Sequence, residues 1–293
     1  MNYSDTISQS IEFIEAHIKE ELSIKEIAAR AGYSVYHFCR IFTAATGRTV
    51  MDYIRYRRLS LARMELLKER KIIDVALDYG FVTASGFTKA FHKEFGYSPT
   101  VYLARMNAWA VGNKGGNDLK PIMKSMPAFK VAGYGIKTNI SKGYTKDIAA
   151  YWETYTGENL ENKMYRQLNP PKHGEVGICV TNRENVMYLL GVIVEDFSMV
   201  TPDMLTVEVP GADYAVFTTP PVDQTQAGAD RNDPLGRIVK TSWKYIFEEW
   251  FPQSGYVYDE SKMDFEFYDE RCHFRPDAVM EIYMPVKRMG TEA

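Results

Sequence analysis

Near the end of the chain, two segments each place a glutamate two positions ahead of a tyrosine: Glu266 before Tyr268, and Glu281 before Tyr283. Residues two apart in a β-strand share a face, so each carboxylate is expected beside an aromatic ring. That combination attracts organic cations, because ring faces carry negative potential and a desolvated carboxylate supplies a full charge. Phe265 and Phe267 flank Glu266, and Ile282 and Met284 flank Tyr283. If those four apolar residues make the core, both glutamates turn to the other face, which is either a cleft or solvent. The same two carboxylates suit general acid–base catalysis if their environments separate their pKa values. No nucleophile motif, metal-ligand cluster or glycine-rich phosphate loop accompanies them, so we expect neither an enzyme nor a bound metal or cofactor. Cys39, Cys179 and Cys272 lie far apart without ligand spacing and read as free thiols of a reducing compartment.

The elements that must position these residues follow an order that occurs twice. An apolar strand over residues 129–136 precedes a helix over 146–156, and strands follow near 175–180 and 187–194. Strands at 205–209 and 214–218 precede a helix over 235–251, and strands follow near 263–268 and 278–285. Strand–helix–strand–strand, duplicated, predicts an α+β domain with helices packed on an antiparallel sheet and a cleft between the halves. Trp152, Trp243 and Trp250 add to its aromatic density.

The front of the chain has a different texture. Residues 22–42 and 73–91 each read as a short helix with an apolar–Ala pair (Ile27-Ala28, Val75-Ala76), a glycine (Gly32, Gly80), then Ser34 or Thr83. The glycine suits a left-handed helix C-cap and the hydroxyl suits the next N-cap. The following helices bury Phe38 with Phe42 and Phe87 with Phe91. These are two helix-turn-helix patterns in tandem, an all-α unit. Between them, residues 49–70 read as one helix about 33 Å long, close to one turn of B-DNA. Its bases, Arg55 and Arg58 among them, are expected to meet phosphates. Gly86, in the second recognition helix, is expected to soften that helix or to let the backbone approach DNA.

Charge follows the same division. Through Gly112 there are 15 Lys+Arg against 12 Asp+Glu, a net +3; the remainder of the 293 residues has 20 against 26, a net −6. A basic front and an acidic rear suit DNA binding by the front alone. Residues 112–118 are polar and glycine-rich, which marks a linker. We therefore divide the chain into a DNA-binding domain over 1–108, a linker over 109–118 and a second domain over 119–290. With no signal-peptide pattern or membrane-length apolar run, the expected location is the cytoplasm, with no membrane partner.

The Gly80-Phe81 turn, Phe87, Phe91 and the closing Phe95-Gly96-Tyr-Ser-Pro99-Thr-Val-Tyr102 give residues 5–105 a resemblance to the AraC/XylS family of transcription regulators. The resemblance implies double-stranded DNA as partner. Matched position by position, it places Tyr36, Cys39 and Arg40 at base edges, with Ser34, Val35 and His37 nearby. In the second helix it places Ala84, Ser85, Thr88 and Lys89 there. Arg40 is the candidate for a bidentate guanine contact. Residues 119–288 resemble the GyrI-like effector-binding domain through Trp250-Phe-Pro252, Asp264-Phe-Glu266-Phe-Tyr268 and Glu281-Ile-Tyr283-Met-Pro285. DNA-binding domain first and GyrI-like domain second is the Rob-type order. This resemblance implies a small-molecule effector, a lipophilic cation, held by Glu266, Glu281 and Tyr283 with Trp152 or Tyr134 as walls. It leaves two alternatives for the rear domain: a GyrI-like hydrolase, or a protein-docking module whose partner is RNA polymerase.

Overall fold

The computed structural model describes residues 3–68, 70–106, 119–139, 144–182, 185–225, 234–272 and 275–289. The linker expected at 109–118 lies outside the described residues. The chain divides into two compact units, Met1–Leu103 and Ala104–Ala293.

The first unit is all helix: α1 (Tyr3–Ala16), α2 (Ile24–Arg30), α3 (Val35–Thr46), α4 (Val50–Leu66), α5 (Ile72–Asp78), α6 (Ala84–Phe95) and the start of α7 (Pro99–Met106). Hydroxyl caps fix where the helices begin: Ser34 accepts from the His37 amide, Thr49 from Asp52 and Thr83 from Gly86. Gly32 and Gly80 take φ of 76° and 77°, the left-handed conformation that ends α2 and α5. Ile14, Ile27, Phe38, Phe42 and Ile54 form one buried cluster. Val75, Phe87, Phe91, Tyr97 and Tyr102 are likewise buried.

Two expectations change here. The linking helix covers Val50–Leu66, 17 residues rather than the span 49–70. At about 1.5 Å per residue it reaches roughly 25 Å, short of a full turn of DNA. Gly86 is the third residue of α6, not an interior one, and its amide is capped by Thr83 at 3.0 Å. It therefore sits in the first turn, where an interior helix penalty does not apply.

The second unit carries β1 (Ile122–Met126), β2 (Phe129–Asn139), α8 (Tyr144–Gly157), α9 (Leu160–Leu168), β3 (Glu175–Asn182), β4 (Asn185–Val194), β5 (Leu205–Val209) and β6 (Ala212–Thr218). It continues with α10 (Pro234–Tyr245), a π-helical turn (Ile246–Trp250), α11 (Phe251–Ser254), β7 (Tyr256–Tyr258), β8 (Phe265–Tyr268) and β9 (Glu281–Arg288). The strands pair antiparallel in the order β1-β6-β9-β8-β3-β4-β2-β5, with β7 on β9. The order is symmetric about the β8–β3 seam: β2-β4-β3 on one side mirrors β6-β9-β8 on the other. The duplication read from the sequence thus appears as a palindromic strand order, and at its centre Glu266 of β8 pairs with Gly177 of β3.

The sheet uses its two faces differently. On one, Val131, Val176, Leu189, Tyr214, Phe265 and Tyr283 form a core, and Phe129 meets Phe265 at 5.5 Å across two intervening strands, so the sheet curls around this face. On the other, Tyr151 and Tyr155 of α8 pack on Tyr188 and Leu190, while Trp250, at the end of the π-helical turn after α10, meets Phe217 at 5.0 Å. Helix α9 has no counterpart in the sequence reading. Its signal was present in Leu160, Met164 and Leu168, spaced four apart and all buried.

Candidate DNA-reading helices and a candidate cation cleft

In the first unit, α3 presents Tyr36 (74% exposed) and Val35 (42%) at its first turn. Arg40, one turn on, is exposed and lies 5.9 Å from the Tyr36 ring, so the two form one protruding edge. Ser34 is occupied as the N-cap, and the His37 ring leans on Tyr33 at 5.1 Å. Cys39 is half-buried and packs against the core cluster, which takes it off the edge that Tyr36 and Arg40 share. On α6, Ser85 and Lys89 are exposed while Ala84 and Thr88 are half-buried.

The bases of α4 correct the phosphate-contact expectation. Arg58 donates from Nε to the Ile18 carbonyl at 2.8 Å and from Nη2 to the Glu20 carbonyl at 2.5 Å. Burial lowers its pKa, and a Cβ on Gly80 would come within 2.7 Å of its Nη1. The guanidinium is thus a staple between the end of α1, α4 and the α5 cap, and is not turned to a phosphate. Arg57 holds Glu15 through two bonds of 2.6 and 2.8 Å, and Arg63 lies 4.7 Å from the Phe95 ring centre. Arg55 remains exposed, with Asp52 as its partner.

In the second unit, the register decides the fate of the two glutamates. Residues directly opposite in an antiparallel pair share a face. Phe265 pairs with Tyr283, Glu266 with Ile282, and Phe267 with Glu281. Glu281 and Tyr283 therefore lie on the Phe265 face, and Glu266 lies on the opposite, helix-covered face with Tyr268. The expectation that both glutamates share a face is overturned, because the pairing is offset by an odd number of residues. Glu281 is held by Arg271 at 2.8 Å and by the Tyr283 hydroxyl at 2.8 Å. The paired-carboxylate arrangement needed for acid–base catalysis by Glu266 and Glu281 does not form.

Glu266 is 4% exposed. Trp243 of α10 donates from Nε1 to its Oε1 at 2.8 Å, and the Tyr268 hydroxyl donates to its Oε2 at 2.6 Å. Its pKa is raised, chiefly by burial; the bonds from Tyr268 and Trp243 oppose the shift without cancelling it, and Asp264 and Arg105 nearby pull in opposite directions. The Tyr268 ring meets Trp152 at 6.1 Å, so Trp152 stands in the next layer out. Tyr134 is on the same sheet face but two strands beyond β3, packed among Tyr151, Leu190 and Met164 rather than at the carboxylate.

A cleft lies over the seam, walled by Ile148 of α8 and Trp243 of α10 and floored by Glu266, Cys179 and Tyr188, with Asp264 and Arg105 at its side. Asp264 accepts from Arg105 Nε at 2.7 Å, from Arg105 Nη2 at 2.6 Å and from the Tyr258 hydroxyl at 2.8 Å. Burial works against the Arg105 charge, yet Asp264 holds its pKa well above the usual arginine value. Trp243 was read from the sequence only as part of the aromatic density and Asp264 only as part of a motif, and neither Tyr188 nor Arg105 was singled out. Asp264 precedes Glu266 by two and was visible as a second same-face carboxylate. Arg105 had no local signal, because its partner is far away in sequence.

Residues 123–286 match the family of integron-associated effector binding proteins, and residues 19–105 match a helix-turn-helix domain family. The regulatory protein SoxS of Salmonella typhimurium is 39% identical over 107 residues, which are 36% of this chain and all of SoxS. The transcriptional regulator Rob of the same organism is 39% identical over 111 residues, 38% of each chain, so this chain spans well under half of Rob. The solved structure of SAV2435 bound to tetraphenylphosphonium aligns with a TM-score of 0.47 at 15% identity, covering 57% of this chain and 94% of that one. A likeness that distant carries no argument. The chain belongs to the integron-associated effector binding protein family through its rear domain, and through its front domain it is an AraC-type, DNA-binding transcription regulator with the Rob-type domain order.

Proposed function

We propose that the effector of this regulator is a small lipophilic organic cation and that Glu266 supplies the charge that selects it. The observation that carries this reading is a carboxylate 4% exposed whose two hydrogen-bond donors, Trp243 and Tyr268, are both neutral aromatic residues. A buried charge without a bonded cation is costly, and a cation that enters beside it relieves that cost while finding aromatic faces. The cleft's place on the β8–β3 seam, between α8 and α10, supports the same reading.

The test is a titration of the full chain with tetraphenylphosphonium and with its isosteric anion, tetraphenylborate, followed by calorimetry. Shape is constant across that pair, so any preference reports charge. The cation should bind and the anion should not. Glu266→Gln, which keeps the side-chain shape, should weaken the cation by about tenfold to a hundredfold, the loss expected when one partner of a desolvated charge pair is removed. Equal binding of both ions, or an unchanged affinity in Glu266→Gln, would reject the reading.

A further inference from the structure

We infer that Arg105 is a built-in occupant of the effector cleft, a cation of the chain's own that the effector must displace; this rests on the cationic-effector reading above. Arg105 lies in the second unit, two residues past the division at Leu103, and is 9% exposed. Its guanidinium is planar and delocalised, it grips Asp264 through two hydrogen bonds, and it lies 6.0 Å from the Trp243 ring. Nη2 also donates to the Cys179 carbonyl at 3.3 Å. A flat cation against an indole and beside buried carboxylates is what a lipophilic cationic ligand would itself present to this site.

Space makes the same point independently. With Arg105 in place the cleft encloses about 30 Å³, room for roughly two waters. Ligand sites for drug-sized molecules are roughly ten times larger or more. An aromatic cation would therefore have to push aside the side chains that line the cleft, Arg105 among them. The site also holds a loose end: Arg105 Nη1 is buried and has no hydrogen-bond partner among the described residues.

The occupant sets the apparent affinity. If only a fraction of molecules have Arg105 withdrawn at any moment, the measured Kd is the intrinsic Kd divided by that fraction. The arginine thus acts as a threshold that screens out weak ligands. Ligands that match both Asp264 and Glu266 replace it most readily.

The test uses the full chain and the tetraphenylphosphonium and tetraphenylborate pair. R105M keeps the aliphatic bulk of the stem and removes the cation; R105M/D264N also removes the carboxylate that would be left unpaired, so that the fold is retained even if the single variant is unstable. R105M should bind tetraphenylphosphonium at least tenfold more tightly than wild type; R105M/D264N, which keeps only Glu266, should gain by a smaller factor, and neither should gain for tetraphenylborate. In the wild-type protein, the Arg105 Nε–H signal in the NMR spectrum should be protected from solvent exchange when free and lose that protection at saturation with the cation. If wild type binds the cation but neither variant binds it more tightly, and the Nε–H signal is unmoved, Arg105 is a structural pair and this inference is overturned while the cationic reading stands. If folded wild type and folded R105M/D264N both fail to bind the cation, the cationic reading falls, and this inference with it.

Discussion

Arg40 and Glu175 show how differently two charged residues act according to what surrounds them. Arg40 is exposed on α3, on the side away from the buried Phe38 and Phe42, and its nearest aromatic neighbour is the exposed Tyr36. That places it to read a base edge rather than to hold the fold. Arg40→Ala should weaken binding to the specific site by about 1–3 kcal/mol and leave random-sequence affinity nearly unchanged. Equal losses on both DNAs, measured by gel shift at one fixed salt concentration, would assign it to phosphate. Glu175 is the opposite case: 4% exposed on β3, with Oε1 lacking a hydrogen-bond partner among the described residues. Burial, with Glu161 nearby, pushes its pKa up to about 7, against a lowering hydrogen bond with Tyr165. A raised carboxyl pKa means that the folded chain keeps a proton which the unfolded chain releases near pH 4.5. The stability this gives is fully present below that pH and is lost as pH rises to about 7. Glu175→Gln should therefore flatten that part of the pH–stability curve and stabilise the protein above pH 7 by roughly 3 kcal/mol. Urea denaturation across pH 4–8 checks it, and an unchanged slope would place the carboxylate in contact with water.

At the scale of the element, what the sequence showed and what it hid follow one rule: local chemistry is legible, and distant partners are not. The capped helix starts at Ser34, Thr49 and Thr83 and the left-handed turns at Gly32 and Gly80 are decided within four residues, and all were readable. The duplicated strand–helix–strand–strand order was also readable, because apolar periodicity records it. The side on which Glu281 falls was not, because the β8–β9 register fixes it, and register is a pairing between segments. The role of α4 was misread for the same reason. A run of arginines looks the same whether its partners are phosphates or the carbonyls of Ile18 and Glu20. The two roles are separable by experiment. Arg58→Met should lower stability by about 1–3 kcal/mol, since it removes charge-assisted bonds and leaves two carbonyls short of a donor. It should leave the salt dependence of DNA binding unchanged. Arg55→Ala, at an exposed position on the same helix, should do the reverse and reduce the salt slope by about 1. A variant of Arg58 with full stability and a reduced slope would return it to the phosphate contacts.

The whole molecule joins a DNA-binding unit to an effector-binding unit, and the match to SoxS covers a length close to that of the first. SoxS is matched over its whole length by 107 residues at the front of this chain. The front unit has its own buried cores, one around Phe38, Phe42 and Ile54 and another around Phe87, Phe91 and Tyr102. The buried residues of the first of these cores, Ile7 to Ile54, all belong to the first unit. We therefore propose that residues 1–108 carry a separable DNA-binding domain, although Ala104 and Arg105 at its end group with the second unit, that residues 109–118 form a connection, and that residues 119–290 form the body of the effector-binding domain. A fragment ending at residue 108 should fold and bind the specific site with an affinity within about tenfold of the full chain, because we place the phosphate and base contacts on α3, α4 and α6. It should be indifferent to tetraphenylphosphonium, since Asp264 and Glu266 are gone. The full chain should change its DNA affinity when the cation is added, which is what sensing requires: an effector alters DNA binding only if it has different affinities for the states that bind DNA well and poorly. Gel shifts of both proteins on one DNA, with and without the cation, decide it. A fragment that fails to fold would show that the front unit depends on residues beyond 108. A full chain that binds the cation with no change in DNA affinity would overturn the expectation that the effector acts by altering DNA binding.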